Sequence, residues 1–206
     1  MTRNTHWYYT LRSWFFTRIM PLAIVLVLAL VVRDLDQRET LPFSQDIPLP
    51  HRISVSWADE VAHFSQRLQQ GFDLDSERAN QFSRWILEAS HRQHVSPELI
   101  ASLVYVESSF RVNVRSSVGA IGPAQVRPDI WNDFCGGINL DDPANNIQCG
   151  AQILGHFYGD CGQFQCALQM YNVGQANLRR SIEYQDAGQR YVSKVAKFRN
   201  RIPNLF

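Results

Sequence analysis

No charge of one sign dominates this sequence. Its 206 residues carry 20 Lys and Arg against 19 Asp and Glu, a net charge of +1, so the basic excess that usually marks nucleic-acid binding is missing. Charged residues are scarce at 19%, which excludes a charge-extended disordered chain. Only 4 cysteines occur, too few for a disulfide-dense mini-protein. No sustained period-2 alternation and no internal repeat appears, and 206 residues exclude a large barrel or a multidomain machine. His51, His63, His91, His94 and His156 match no zinc-ligand spacing, and no Cys-x-x-Cys pair occurs. Neither a metal nor a cofactor is expected.

One apolar run is present. Residues 19–32 are 14 uncharged residues, interrupted only by Pro21. As a helix they span about 21 Å, short of the ~30 Å hydrocarbon core of a bilayer. Counted from Trp14, with Arg18 snorkelling, the run reaches roughly 28 Å, and Trp14, Phe15 and Phe16 form an interfacial belt. A cleaved signal peptide is the other reading, but Val31-Val32-Arg33-Asp34 lacks a small-residue cleavage site. Arg3, Arg12 and Arg18 precede the run with no acid among them. The positive-inside rule therefore predicts a cytoplasmic stub over 1–18, a single-pass anchor over 14–32 and export of the rest. In a bacterium that is an inner-membrane protein with its C-terminal part in the oxidising periplasm.

Residues 33–56 carry Pro42, Pro48 and Pro50 among polar residues and read as a linker to a domain over 57–206. Helical spacing predicts helices over 59–70, ended by Gly71, and over 75–94, with Phe82, Trp85, Ile86 and Ala89 as the apolar face. Ser96-Pro97-Glu98 starts the next, running to about Ser108: an N-cap, a proline at the first position and an acid in the first turn. Gly119, Gly122 and Pro123 mark a loop, and further helices are expected over 145–158, 165–171, 174–185 and 189–199. The fold class is all-α, with about 150 residues for one core.

One residue interrupts the apolar logic. Ile100, Leu103, Val104 and Glu107 share one helix face, so a carboxyl stands where another Leu is due. Burial raises a carboxyl pKa, which suits a general acid near neutral pH. A Glu bent to solvent or paired with Arg111 satisfies the same pattern.

The surroundings of Glu107 add weight. Glu107-Ser108-Ser109-Phe110 is followed by Ser116-Ser117-Val118-Gly119-Ala120-Ile121-Gly122-Pro123-Ala124-Gln125-Val126-Arg127-Pro128. Asp142-Pro143, Asn146-Ile147 and Gly150 come next, then Ala167-Leu168, Tyr171-Asn172-Val173-Gly174 and Tyr191-Val192. Over roughly residues 75–200 this ordered set resembles the soluble lytic transglycosylase (SLT) domain, a lysozyme-like helical fold that cleaves peptidoglycan. The resemblance implies Glu107 as catalytic acid/base, Ser116 holding the muramic N-acetyl group, Gln125 lining the sugar cleft, and Tyr171 and Asn172 facing the Glu and contacting substrate. Ser116 as a turn residue, Gln125 as a loop amide, Tyr171 as a core aromatic and Asn172 as a helix C-cap are the bland alternatives. Tyr191 reads as structural rather than catalytic, with a place at the border of the cleft as the alternative. The chain departs from the family pattern at Pro123-Ala124 for Leu-Met, at Arg127 for Met, and at Ala187-Gly188-Gln189-Arg190, with the nearby acid displaced to Asp186.

The implied activity is a lyase reaction on the MurNAc–GlcNAc β-1,4 bond that yields a 1,6-anhydromuramyl product without consuming water. The matched motifs hold one obvious acid and no equally placed second; Asp129, Asp133, Asp141 and Asp142 read as turn or cap residues. A goose-type lysozyme, a chitinase-like enzyme and a non-catalytic peptidoglycan-binding scaffold are the rivals. The expected partners are glycan strands, the inner membrane and an envelope-spanning secretion or conjugation apparatus for which gaps are opened, with no nucleic acid.

Cys135, Cys149, Cys161 and Cys166 would form two disulfides in the predicted compartment. Three connectivities are open; Cys135–Cys149 with Cys161–Cys166 is favoured. Residues 179–206 hold seven basic against two acidic side chains, either a solvated helix face or an attractor for an anionic partner.

Overall fold

A computed structural model describes residues 55–203; the predicted stub, anchor and all but the end of the predicted linker lie outside them. Among the described residues eight helices form and no extended strand. No described helix is long and apolar enough to cross a membrane. In chain order they are α1 (Trp57–Phe72), α2 (Ser76–Gln93), α3 (Pro97–Ser108), α4 (Pro128–Trp131), α5 (Pro143–Cys161), α6 (Phe164–Val173), α7 (Gln175–Leu178) and α8 (Ile182–Arg199).

Capping fixes most starts. Ser56, Asp75, Ser96, Asp142 and Ser181 each accept a backbone N–H from the first turn of the helix they open. The α3 start falls where Ser96-Pro97-Glu98 placed it. Two expected boundaries move. Gly71 lies inside α1 rather than after it: a Cβ there would stand 3.0 Å from the Arg201 carbonyl oxygen, so the glycine lets the C-terminal chain approach. The expected helices over 174–185 and 189–199 are replaced by the short α7, a break after Leu178, and one continuous α8 running through Gly188. Gly188 also serves contact, since a Cβ would meet the Gln169 side chain at 3.1 Å.

α3 is the axis of the domain. It packs against α2, α5 and α8, while α2–α5, α5–α6 and α6–α8 contacts form an arc around it and α1 covers α2. Leu99 through Val104 are all buried, as expected of a helix apolar on every side. Its buried hydroxyls, Ser102 and Ser108, donate to the carbonyls one turn back, so no polar group is left unpaired there. Arg67 of α1 ties the tail by pairing with Glu98 at 2.8 Å and donating to the Pro203 carbonyl at 2.8 Å.

Candidate active site

Glu107 occupies the last turn of α3, where the buried helix opens into a cleft of about 560 Å³. The chain reverses immediately beyond it. Ser109 and Phe110 both take left-handed backbone, φ 54° and 57°, a conformation that costs non-glycine residues about 1–3 kcal/mol each. Phe110 is held there by the rings of Phe72 and Phe82 at 5.1 and 5.0 Å. Arg111, the expected alternative partner, donates instead to the Ser108 carbonyl.

Burial pushes the Glu107 carboxyl up from 4.5 to about 7, against the opposing effect of a hydrogen bond from Tyr191. The Tyr191 hydroxyl donates to Oε1 at 2.5 Å. Burial, reinforced by the Glu107 charge, raises the phenols of Tyr171 and Tyr191 well above their usual range. Both therefore remain protonated donors. A carboxyl raised to about 7 can both give and take a proton near neutral pH.

The 116–127 loop forms one wall. Ile121 pairs with both Arg115 and Val126 in single bridges, and Ser116 Oγ accepts the Ala120 N–H at 3.0 Å. Ser116 is therefore a turn residue that also lines the cleft. Gln125, at φ 50°, donates its amide N–H groups to the carbonyls of Gly122 and Val114; it holds the loop and lines the cleft together. Fully buried Asn146 of α5 staples the loop from behind, accepting from the Ala124 N–H at 2.8 Å and donating to the Ile121 and Leu140 carbonyls. Gly122, at φ 72°, makes room: a Cβ would stand 2.5 Å from the Asn146 amide.

The opposite wall comes from α6 and α7. Tyr171 lines the cleft but gives its proton to the Ala124 carbonyl at 2.8 Å, tying the two walls together. Asn172 is exposed at the cleft, ahead of the C-cap Gly174 at φ 79°. Arg127 lines the cleft as well and forms an ion pair with Asp129 at 2.5 Å. The adjacent guanidinium lowers the Asp129 carboxyl.

Among the described residues lining the cleft, Glu107 is the single acid. Asp141 pairs with Arg115 and Asp142 caps α5, while displaced Asp186 lies exposed on α8. A second hollow of about 890 Å³, bordered by Asp75, Arg78, Arg111 and Arg115, contains none of Glu107, Ser116, Gln125, Tyr171 and Asn172.

Residues 84–193 match the Transglycosylase SLT domain family, a span that includes Glu107, both cleft walls and Tyr191. The chain belongs to the SLT family. A protein of Enterobacteria phage PRD1 named "Transglycosylase" is 36% identical over 91 residues, 43% of this chain and 34% of that relative. The chain thus spans about a third of the curated relative it matches. Within this SLT domain, reading the sequence gathered Glu107, Ser116, Gln125, Tyr171 and Asn172, and all five border one cleft. It missed two supports. Tyr191, quoted among the motifs but read as structural, is the donor on the Glu107 carboxylate; at 84 residues' separation nothing local links the two. Asn146 was quoted without a role, although an Asn on the apolar side of a helix is itself a hint of buried hydrogen bonding.

The cysteines pair as Cys135–Cys149 and Cys161–Cys166, with Cα–Cα distances of 5.5 and 6.3 Å. The first bond ties the segment after α4 to α5; the second links the end of α5 to α6.

Proposed function

We propose that this SLT domain is a peptidoglycan lytic transglycosylase with Glu107 as its acid and base. The observation that carries the reading is a single cleft carboxyl raised to about 7. Glycosidases working with two carboxyls need the second as nucleophile or as base for water. With one, the substrate must supply the missing functions. Protonated Glu107 would donate to the glycosidic oxygen as the bond to the muramic C1 breaks. The 2-acetamido carbonyl would stabilise the oxocarbenium-like centre. Glu107, now a carboxylate, would then take the proton of the C6 hydroxyl as O6 closes onto C1. The proton lost in the first step is regained in the second, and a 1,6-anhydro sugar leaves with no water consumed.

Ser116, whose hydroxyl hydrogen is not committed to the turn, would hold the N-acetyl group. The Gln125 oxygen and the Asn172 amide would contact the sugars, and Tyr171 would keep the walls in register. Residues 14–32 are read as an anchor that holds the domain in the periplasm beside an envelope-spanning secretion or conjugation apparatus. Mass spectrometry of digested sacculi tests the chemistry: muropeptides lighter by one water than the hydrolytic products are expected, and hydrated products alone would replace the reading with a lysozyme. Unchanged muropeptide release by Glu107→Gln would remove the enzyme reading altogether.

A further inference from the structure

Beyond the five residues gathered from sequence, one lip of the cleft is aromatic. Ile130, Trp131, His156 and Phe157 line the same cleft as Glu107. Ile130 is 52% exposed and neighbouring Phe134 is 37% exposed, an unusual outlay of apolar surface beside a polar site. The lip is rigid. Trp131 sits edge-on to Phe134 and Phe157 at 5.4 and 5.5 Å. The Cys135 N–H donates to the Trp131 carbonyl at 2.9 Å, the Cys135–Cys149 bond fastens the segment to α5, and Gln152 donates to the Phe134 carbonyl at 3.2 Å. The Trp131 indole N–H has no protein acceptor among the described residues and is not sealed from solvent.

α5 serves as a ruler between this lip and Tyr171. Gly150 lies beneath Tyr171, since a Cβ there would approach the Tyr171 hydroxyl to 2.9 Å. His156 and Phe157, which flank Trp131, come six and seven residues later on the same helix. At ~1.5 Å per residue the separation is about 10 Å, so a chain lying in the cleft would reach Trp131 with a different sugar from the one at the Tyr171 level.

We propose that Trp131 is a stacking platform for a pyranose ring of the glycan, a binding subsite displaced along the cleft from the bond that is cut. The proposal rests on the glycan-cleaving reading above. A β-1,4-linked pyranose presents axial C–H groups on its ring faces, apolar and slightly positive, which match the negative face of an indole. Its equatorial hydroxyls and acetamido group remain at the rim, where the free indole N–H can meet one. Apolar walls with a few orienting polar groups are the usual make-up of such sites.

The test uses the full chain carrying Glu107→Gln, so that the ligand survives, with a peptide-free tetramer of N-acetylglucosamine as calorimetric probe. Adding Trp131→Leu, which keeps apolar bulk against Phe157, is expected to weaken binding about tenfold, while Trp131→Phe retains most of it. In the active protein Trp131→Leu is expected to raise KM on sacculi by about tenfold with kcat within about twofold. An unchanged Kd and KM in Trp131→Leu, with anhydro products still released, overturns the platform and leaves the transglycosylase reading intact. Equal losses in Trp131→Phe and Trp131→Leu overturn it too, since the aromatic face then contributes nothing. So does a loss confined to peptide-bearing glycan, which would assign the lip to the stem peptide. Failure of the unsubstituted chain both to bind the tetramer and to release muropeptides removes the glycan reading itself.

Discussion

At the scale of single residues, Glu107 and Tyr191 set the pH response. On the proposed mechanism Glu107 is protonated when the glycosidic bond breaks, so kcat/KM on sacculi is expected to fall about tenfold per pH unit above about 7. The Tyr191 hydrogen bond favours the charged form and holds that value down. Tyr191→Phe should therefore move the alkaline limb upward, a shift that a purely structural tyrosine would not cause. The raised carboxyl also weakens the fold. Glu107 ionises above about 4.5 in the unfolded chain but only above about 7 in the native one. Between those values the folded state keeps a proton the unfolded state has lost. Stability therefore declines as pH rises through this window and levels off beyond it, by about 3 kcal/mol in all. Glu107→Gln, with no charge to bury, is expected to melt at higher temperature than the parent at pH 8 while losing at least about a hundredfold in activity.

At the scale of elements, the cleft depends on how closely α5 backs the loop and α6. A Cβ on Gly150 would stand 2.7 Å from the Ala124 side chain and 2.9 Å from the Tyr171 hydroxyl. Gly150→Ala is expected to cost about 1–3 kcal/mol of stability by denaturant titration and to reduce turnover, because it pushes the two walls apart. Helix starts were legible in the sequence where a local group both signals and causes them: Ser96-Pro97-Glu98 predicted α3, and the Ser96 side chain caps it. Gly71 and Gly188 misled for the converse reason. Gly71 was read as a helix end and Gly188 fell between two expected helices, yet each is small because another segment rests on it, Arg201 in one case and Gln169 in the other. The break between α7 and α8 has no proline or glycine to announce it. The same division runs through the site. Glu107 shows itself by disturbing an apolar face, whereas Tyr191, Trp131 and Asn146 acquire their neighbours only when the helices close.

At the scale of the whole molecule, the two disulfides should differ in effect. Cys135–Cys149 spans 14 residues between buried partners, Cys161–Cys166 only 5 near the surface. On loop-closure entropy the first contributes about 3 kcal/mol and the second about 2. Urea melts of the paired serine variants should rank them in that order. A further consequence comes from the position of α8. It is the last described helix of the chain, yet it packs against α3 and α6 and supplies the hydroxyl on Glu107. While the polypeptide is being synthesised, the acid, the loop and the Tyr-Asn helix all emerge before the helix that packs against α3 and α6. Until α8 has emerged, Glu107 therefore lacks the hydroxyl that the folded domain sets against it.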